Sequence, residues 1–166
     1  CEPQHKFFFK HKKLSAYALP GKRRQDSVYN AFKLIDRASD FVCIHDGARP
    51  FIKVDDIKKA IEEAKTFGAA ALGAKAANTI KKCKKNIVEK TLERNTLFEI
   101  YTPQIIKKDL LTEGFAFANR NSITVTDDVS LVEHIGKKVK IVDSSKDNIK
   151  ITTPFDLKVA QTILEK

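Results

Sequence analysis

Residues 41–50 read Phe41-Val42-Cys43-Ile44-His45-Asp46-Gly47-Ala48-Arg49-Pro50. The first four form an unbroken apolar run, which is typical of a strand that is buried on both faces. The polar and turn-forming residues behind them predict a loop at the carboxyl end of that strand. Helical spacing of apolar residues lies on either side: one predicted helix begins at Asp26 as its cap, and another runs from Asp55 to a closing Gly68.

The same two patterns alternate along the rest of the chain. Strands are predicted at 69–74, 139–142 and 148–151, and helices at 97–101, 110–118, 126–136 and onward from the start signal Thr153-Pro154-Phe155-Asp156. In the last helix we expect Leu157, Ala160 and Leu164 to face inward. This alternation predicts an α/β fold with a largely parallel sheet, in which ligands bind beyond the carboxyl ends of strands.

The segment 76–91 departs from this pattern. It is polar and rich in lysine, and Asn86 lies near a predicted reversal of the chain. Because the segment has too little apolar surface to form part of a core, we expect a projecting β-hairpin arm. Residues 1–166 are otherwise expected to form a single domain.

The composition is that of a basic globular protein. With 166 residues, of which 42% are hydrophobic and 31% charged, the chain is long enough for a core of its own. The net charge of +10 predicts a polyanionic partner, either nucleic acid or a small substrate with several phosphates, unless it marks only a solvated lysine-rich surface. No apolar run could span a bilayer, and Phe7-Phe8-Phe9 is too short for a secretory signal.

The three cysteines, Cys1, Cys43 and Cys83, are odd in number and lack the spacing of metal ligands. They argue against a disulfide framework or a zinc site and are consistent with a reducing cytoplasm. The chain starts at Cys1 and contains no methionine, so we expect it to be part of a longer protein.

Asp46 is the strongest candidate for chemistry because it directly follows the predicted buried strand. A carboxylate there could bind Mg²⁺, which takes few protein oxygens and completes its shell with water and phosphate. Arg49 could bind a phosphate through two hydrogen bonds. Equally, Asp46 and Arg49 could form an ion pair that only rigidifies the turn. His45 could be a base or a structural residue.

Other cations lie near predicted strand ends and helix starts. Lys150 ends a predicted strand, where it could stabilise charge on a phosphate or be one more surface lysine. Arg23, Arg24, Asp26 and Ser27 lie at a helix start, which attracts anions, although Asp26 and Ser27 could be ordinary caps.

The remaining signals are weaker. The turn Thr102-Pro103-Gln104, with Arg94 before it, offers polar side chains but by itself defines no site. No Ser-His-Asp or Cys-His arrangement, zinc-ligand pair, dinucleotide fingerprint or Walker-type loop occurs in the 166 residues. The candidate groups are therefore cations and one well-placed carboxylate, without a protein nucleophile.

Taken together, several short blocks resemble the 2-C-methyl-D-erythritol 4-phosphate cytidylyltransferase family. In chain order they are Gly21-Lys22-Arg23-Arg24-Gln25-Asp26-Ser27-Val28, Ile44-His45-Asp46-Gly47-Ala48-Arg49-Pro50-Phe51, Asn78-Thr79-Ile80-Lys81, Thr91-Leu92-Glu93-Arg94-Asn95, Thr102-Pro103-Gln104, Thr126-Asp127-Asp128 and Asn148-Ile149-Lys150-Ile151-Thr152-Thr153-Pro154. The resemblance extends from about Leu19 onward and implies a Rossmann-like nucleotide-diphospho-sugar transferase fold, with a mostly parallel sheet and a projecting β-arm.

The resemblance also implies a reaction of non-mevalonate isoprenoid synthesis. The phosphate of methylerythritol phosphate attacks the α-phosphorus of CTP, pyrophosphate leaves, and a cytidine diphosphate conjugate forms. Because two anions must meet, the site has to neutralise charge and align the reactants.

Roles for individual residues are implied by the same resemblance. Asp46 matches a magnesium-associated aspartate, and Arg49 and Lys150 match cations that bind substrate phosphate and stabilise the transition state. Residues implied to bind the substrate are Thr102, Arg94, Thr79, Gly47 and Ala48, and those implied to bind the nucleotide are Gly21, Lys22, Arg24 and Ser27. In the family the arm reaches into the neighbouring subunit's site, so a cytoplasmic homodimer is expected.

Family members open with a strand and a glycine-rich loop, carrying an arginine and a lysine, that wraps the CTP triphosphate. These 166 residues contain no such loop, and residues 1–18 match only a remnant of the helix and strand that come after it in the family. We therefore expect this chain alone to be weakly active or inactive and to leave strand edges exposed.

Three alternatives stay open at this point. The nearest is ribitol-5-phosphate cytidylyltransferase, whose ending would also suit residues 148–157. The second is a basic nucleic-acid-binding module, although no stacking platform, helix-turn-helix or zinc finger is evident. The third is a non-catalytic chain that only dimerises through the arm.

Overall fold

A computed structural model describes residues 11–165 of the chain. The predicted features at Cys1 and Phe7-Phe8-Phe9 lie outside the described residues. The helices and strands occur in the order α1 (Arg24–Phe32), β1 (Phe41–Ile44), α2 (Val54–Phe67), β2 (Ala69–Lys75), β3 (Lys81–Lys84), β4 (Ile87–Thr91), β5 (Phe98–Lys107), α3 (Lys108–Arg120), α4 (Val129–His134), β6 (Lys140–Asp143) and α5 (Pro154–Leu164).

The α/β class is confirmed, but the sheet is mixed rather than largely parallel. Its strand order is β1-β5-β2-β6, and only the β2–β6 pairing is parallel among the described strands. The reason is β5, which begins at Phe98 and so occupies most of the segment 97–101, for which a short helix was predicted. Because no helical crossover separates β2 from β5, the chain returns beside β2 in the opposite direction.

Two layers of helix cover the sheet, and the alternation of side chains along β2 assigns one core cluster to each face. Ala70 and Leu72 pack with α2, whereas Ala69 and Ala71 pack with α3 and α4 on the other side. Phe115 of α3 is buried on that second face. The small side chains of β2 allow helices to lie close to both faces of the strand.

The helix starts are set by local capping chemistry. Arg23, rather than Asp26, precedes α1, and Asp26 accepts a hydrogen bond from the Arg23 amide at 3.1 Å. Gly68 ends α2 as predicted, with a left-handed φ of 84° that favours glycine. The start of α5 is also confirmed, since Thr153 caps it and Asp156 accepts a hydrogen bond from the Thr153 amide at 2.8 Å.

Three boundaries or burial patterns differ from prediction. The helix predicted at 126–136 is only Val129–His134, because Asp128 stands at its N-cap. Residues 148–151 are not a strand and instead lie in the connection between β6 and α5. In α5 only Ala160 is buried, whereas Leu157 and Leu164 are exposed because no described element covers them.

The segment 76–91 contains an antiparallel hairpin that is separate from the main sheet. Strands β3 and β4 pair with each other, and all their residues are exposed. Lys85 and Asn86 reverse the chain with φ values of 48° and 62°, the left-handed pair that a two-residue hairpin turn requires.

One edge of the main sheet is open among the described residues, as expected from the sequence. Strand β1 is an edge strand, and a groove of about 370 Å³ lies between it and α1. None of its residues is fully buried, so the prediction that this strand is buried on both faces is wrong, because no described strand pairs with its outer edge. Within residues 11–165, none of the helices is long and apolar enough to cross a membrane.

Candidate active site

The loop after β1 places Asp46 at the centre of a cluster of cations. Its side chain is 17% exposed, and the Asp46 carbonyl accepts from the Arg49 amide at 3.0 Å, which closes a tight turn. Lys150 Nζ lies 3.0 Å from Asp46 Oδ2, and Arg49 Nε lies 3.5 Å from the same oxygen. Arg24 Nη2 lies 3.8 Å from Oδ1. The structure thus brings together four residues that the sequence singled out.

The cations determine the ionisation of Asp46. Partial burial alone would raise the pKa of this carboxyl, but the hydrogen bond and charge of Lys150, together with Arg24 and Arg49, outweigh it. The pKa of Asp46 therefore lies below its ordinary value, and the group is an anion at neutral pH.

A second carboxylate holds Arg24. Arg24 Nη2 lies 2.6 Å from Oδ2 of Asp128, whose side chain is only 1% exposed. Burial raises the pKa of Asp128, and the pairing with Arg24 opposes that rise only in part. Arg24 therefore bridges Asp128 and Asp46, and the cluster contains three cations beside two carboxylates.

Arg49 is fixed on two sides. Its Nη1 donates to the Asn148 carbonyl at 2.8 Å, and its guanidinium lies 4.8 Å from the centre of the Tyr101 ring. Stacking and hydrogen bonding of this kind hold a guanidinium in one orientation. Of its nitrogens, Nε is buried and donates no hydrogen bond to the described residues.

The Thr102 hydroxyl connects the turn to β5. It accepts from the Asp46 amide at 2.9 Å and contacts His45 Nδ1 at 3.0 Å. His45 Nε2 lies 3.0 Å from the Arg49 carbonyl, which can only accept, so Nε2 carries the hydrogen. In the neutral imidazole Nδ1 then accepts from the Thr102 hydroxyl. His45 has a structural contact here, and its alternative role as a base stays a prediction.

Lys150 reaches Asp46 from an irregular segment, not from a strand end. The Ile151 amide donates to the Ala48 carbonyl at 2.8 Å, which joins this segment to the turn after β1. Asn148 is fully buried, and its Nδ2 donates to the Thr102 carbonyl at 3.0 Å. The prediction that Lys150 belongs to the site agrees with this geometry, although the reasoning from a strand end was wrong.

The other predicted nucleotide-binding residues make local contacts. The Gly21 amide donates to Ser27 Oγ at 2.9 Å, and a Cβ on Gly21 would come within 2.3 Å of Asp26 Cβ. Gly21 is therefore required by the tight turn before α1. Lys22 is exposed. Nucleotide binding by these residues stays a prediction.

Arg94 and Thr79 lie at the base of the hairpin arm. Arg94 Nη1 donates to the Ala77 carbonyl at 3.1 Å, and Thr79 is exposed. Neither residue is among those that contact Asp46 in the described chain. Gly47, in contrast, lies inside the Asp46 turn, where a Cβ would meet nothing within 4 Å.

The donor set around Asp46 decides how a metal could be held. Residues 11–165 contain no group of three His, Cys, Asp or Glu side chains arranged for a metal ion. A single carboxylate suits Mg²⁺ when phosphates and water supply most of its ligands, and does not suit zinc. Asp46 therefore fits the expected ion only together with a phosphorylated ligand.

Reasoning from the sequence missed several residues that build this site. Gln104 is buried, and its Oε1 accepts from the amides of Asp128 and Val129 at 2.8 and 3.0 Å. Asp128 and Asn148 were noted only as parts of motifs. Each stands beside residues of the apolar core, and a polar side chain that must be buried needs partners, which was the available signal.

Comparison of the chain with known proteins identifies its family. The family model described as 2-C-methyl-D-erythritol 4-phosphate cytidylyltransferase matches residues 12–166. The chain belongs to this family. The family consists of nucleotidyltransferases, which agrees with a site made of cations and a carboxylate.

Individual cytidylyltransferases of this name support the assignment. The chain is 44% identical to the chloroplastic enzyme of Oryza sativa, over its whole length and 58% of the relative's. It is 42% identical to the Chlamydia pneumoniae enzyme, over 99% of the chain and 75% of the relative. It therefore spans somewhat under three-fifths of the rice protein.

Solved structures of the family share the fold. The Francisella tularensis cytidylyltransferase superposes with a TM-score of 0.85 and 37% identity, over 93% of this chain and 74% of that one. The Thermus thermophilus structure gives a TM-score of 0.79 and 29% identity, over 88% of this chain and 71% of that one. The implied nucleotidyltransferase fold is thereby shown.

Proposed function

We propose that the protein transfers a cytidylyl group from CTP to 2-C-methyl-D-erythritol 4-phosphate. An oxygen of the sugar-alcohol phosphate forms a new bond to the α-phosphorus of CTP. The bond between the α-phosphorus and the bridging oxygen to the β-phosphate breaks, and pyrophosphate leaves with that electron pair. The proposal is supported by family membership and by the names of the relatives.

The convergence of Arg24, Arg49 and Lys150 on Asp46 carries this proposal. Each of the three cations lies within 4 Å of one carboxylate, in the loop that follows β1. Such a cluster attracts phosphates and opposes their mutual repulsion, which is the principal barrier when two anions react. Lys150 is the most exposed of the three and is suited to move from Asp46 to a phosphate.

We include Mg²⁺ in this proposal, with Asp46 as its protein ligand. When bound with nucleotide, the ion supplies positive charge that neutralises phosphate oxygens. Asp46 is suited to hold it because its low pKa keeps the carboxylate ionised at neutral pH. Lys150 and Arg49, which share this carboxylate in the structure, then become available to phosphate.

The wider binding surface is proposed from the residues that the sequence singled out. Gly47 and Ala48 lie within the Asp46 turn and Thr102 contacts it, and all three are proposed to contact the sugar-alcohol phosphate. Arg94 and Thr79, at the base of the arm, are proposed to act in the site of a second subunit of a homodimer.

We also keep the cytoplasm as the proposed location, on the basis of the cysteine usage. The printed name of the rice relative places that protein in the chloroplast. Imaging of the tagged natural gene product in its own cells distinguishes the two locations.

The test is turnover by the natural gene product with CTP, Mg²⁺ and each sugar phosphate, measured as pyrophosphate release. We expect Asp46→Asn and Lys150→Ala each to reduce kcat by at least about 100-fold, because each removes a charge that the transition state uses. Lys146→Ala, a change in a nearby exposed lysine, is the matched control and should retain full activity.

The same assay separates the alternatives. Preferential use of ribitol 5-phosphate would replace the proposed substrate, and no turnover of either would favour a chain that only dimerises. Binding to nucleic acid with a steep dependence on salt would favour the nucleic-acid-binding module. Normal turnover by both Asp46→Asn and Lys150→Ala would show that this cluster is not the catalytic site.

A further inference from the structure

The pairing of strand β5 with β2 is interrupted beside the proposed site. Its register with β2 runs from Ala71 opposite Gln104 to Gly73 opposite Ile100, so the ladder skips the residues between Ile100 and Gln104. Thr102 lies in this interruption, and Pro103 has no amide hydrogen to donate. A buried carbonyl at such a place needs a partner from outside the ladder.

Asn148 supplies that partner. Its side chain is 1% exposed, and its Nδ2 donates to the Thr102 carbonyl at 3.0 Å. Its own carbonyl accepts from Arg49 Nη1 at 2.8 Å. One residue therefore contacts both the strand that carries Thr102 and the guanidinium that faces Asp46.

The connection between β6 and α5 is held at three points. At its start the Ser144 amide donates to the Gly73 carbonyl at 2.9 Å, and Ser144 Oγ donates to Asp56 at 2.8 Å. Near its end the Ile151 amide donates to the Ala48 carbonyl at 2.8 Å. Asn148 is the buried point between them, two residues before Lys150.

We propose that Asn148 is a positioning residue, which holds Lys150 and Arg49 beside Asp46 by fastening the connection between β6 and α5 to Thr102. This role rests on the proposed cytidylyl transfer, in which Lys150 and Arg49 meet phosphate. Asn148 acts through these cations and itself need not touch a substrate.

The unpaired atom of Asn148 argues against a role in stability alone. Its Oδ1 is buried and accepts no hydrogen bond from residues 11–165. An unpaired buried acceptor is unfavourable, so a side chain selected only to stabilise the fold would not leave one. Departures from local rules of this kind are expected where function places a residue.

The first test uses the 166-residue chain and measures directly whether Asn148 holds the connection between β6 and α5 in place. We expect Asn148→Ala and Asn148→Asp to speed hydrogen exchange of the Ile151 amide by about tenfold or more, since the neighbouring attachment is lost. Asn148→Asp keeps the shape but loses the donor. Ser145→Ala, in the same connection but without a side-chain bond to Thr102 or Arg49, should leave the rate within about twofold. Unchanged exchange in both Asn148 variants would overturn the proposal.

The second test measures the catalytic consequence in the natural gene product. We expect Asn148→Asp to lower kcat by about 10- to 100-fold with a smaller change in KM for CTP. Displaced cations impair the alignment of the bound reactants more than they impair the binding of CTP. A purely structural role predicts equal kcat per folded molecule in Asn148→Asp and Ser145→Ala, and that result would overturn the proposal.

The two proposals can fail separately. If Lys150→Ala is inactive and Asn148→Asp is fully active, the positioning role is wrong and the proposed function stands. If Asp46→Asn and Lys150→Ala both retain full activity, the cluster around Asp46 is not the catalytic site. If the natural gene product does not turn over CTP with the sugar-alcohol phosphate at all, the proposed function is wrong. In both cases the exchange rate of the Ile151 amide still decides whether Asn148 holds the connection.

Discussion

At the scale of single residues, Arg24 links the buried and the solvent-facing parts of the site. It pairs with Asp128 at 2.6 Å and lies 3.8 Å from Asp46, with about a third of its side chain exposed. The pair with Asp128 lies partly out of water, where removal of one partner leaves a charge uncompensated. Asp128 thus fixes the position of the Arg24 guanidinium beside Asp46.

We expect Asp128→Asn to destabilise the chain by about 1–3 kcal/mol, less than for a fully buried pair because Arg24 is partly solvated. Urea unfolding measures this free energy. Glu62→Gln, the matched change in the exposed pair with Lys65, should cost at most about 0.5 kcal/mol. Equal midpoints for the two variants would contradict the importance of the buried carboxylate.

Gly114 shows a different constraint, the close approach of two helices. A Cβ on this residue of α3 would lie 2.9 Å from the Leu131 carbonyl oxygen and 2.9 Å from Leu131 Cβ. We expect Gly114→Ala to destabilise the protein by about 1–2 kcal/mol, despite the better helix propensity of alanine. Thermal unfolding tests this, with Gly47→Ala as the control whose Cβ meets nothing within 4 Å.

At the scale of elements, α5 depends on its first turn. Asp156 accepts from the amides of Thr152 and Thr153 and from the Thr152 hydroxyl, and these hydrogen bonds lower its pKa to about 2. A carboxyl whose pKa is lower in the folded state stabilises the fold above its unfolded pKa. That contribution declines as the pH falls toward about 2.

We therefore expect Asp156→Asn to lower Tm at pH 6 and to have a smaller effect near pH 2. Thermal scans of both proteins across this range provide the measurement. A difference in Tm that stays constant with pH would show that the ionised capping carboxylate does not contribute to the stability of α5.

The elements also show what the sequence can predict. Strands were confirmed at β1, β2 and β6, where short segments rich in apolar or small residues lie between turn signals. The helices α3 and α5 were confirmed because their apolar spacing or caps are strong. The predictions for residues 97–101 and 148–151 were wrong for opposite reasons. Leu97, Phe98 and Tyr101 have helical spacing, but pairing with β2 makes this segment part of β5. Residues 148–151 alternate like a strand, yet the Asn148 side chain bonds to Thr102 of β5 and the Ile151 amide bonds to Ala48 in the loop after β1.

The charged residues at the centre of the site were easier to predict than the buried residues that hold them in place. Asp46, Arg49 and Lys150 carry the charge that the proposed reaction needs, and they occur in recognisable motifs. Gln104 and Asp128 act through buried hydrogen bonds between segments distant in sequence, and no local pattern shows which amide or guanidinium they will meet. The exposed Leu157 was likewise predicted to face inward from its spacing alone. Helical spacing shows which residues share a face but not whether another element covers that face.

At the scale of the whole molecule, the hairpin arm is the most exposed part of the paired strands within residues 11–165, because every residue of β3 and β4 is exposed. Ile87 and Val88 of β4 point apolar side chains into solvent, beside the lysines of the hairpin. Exposed apolar residues on a projecting hairpin are suited to contact another protein surface. This arrangement supports the proposed homodimer.

We expect light scattering of the unsubstituted 166-residue chain, at a concentration of tens of micromolar, to give about twice the chain mass of 18.7 kDa. Ile87→Glu should shift the protein toward monomer because it places a charge in the proposed contact. Val54→Glu, a matched change at another exposed residue on α2, should leave the mass unchanged. A monomeric natural protein would contradict dimerisation through the arm.

The candidate site draws Arg24, Asp46, Thr102 and Lys150 from four places spread over nearly the entire chain. Ribosomal synthesis delivers Lys150 last, so a nascent polypeptide displays the aspartate long before its lysine arrives. The proposed binding of CTP would therefore come late in maturation, and retention on an immobilised CTP column would separate finished molecules from partly folded ones.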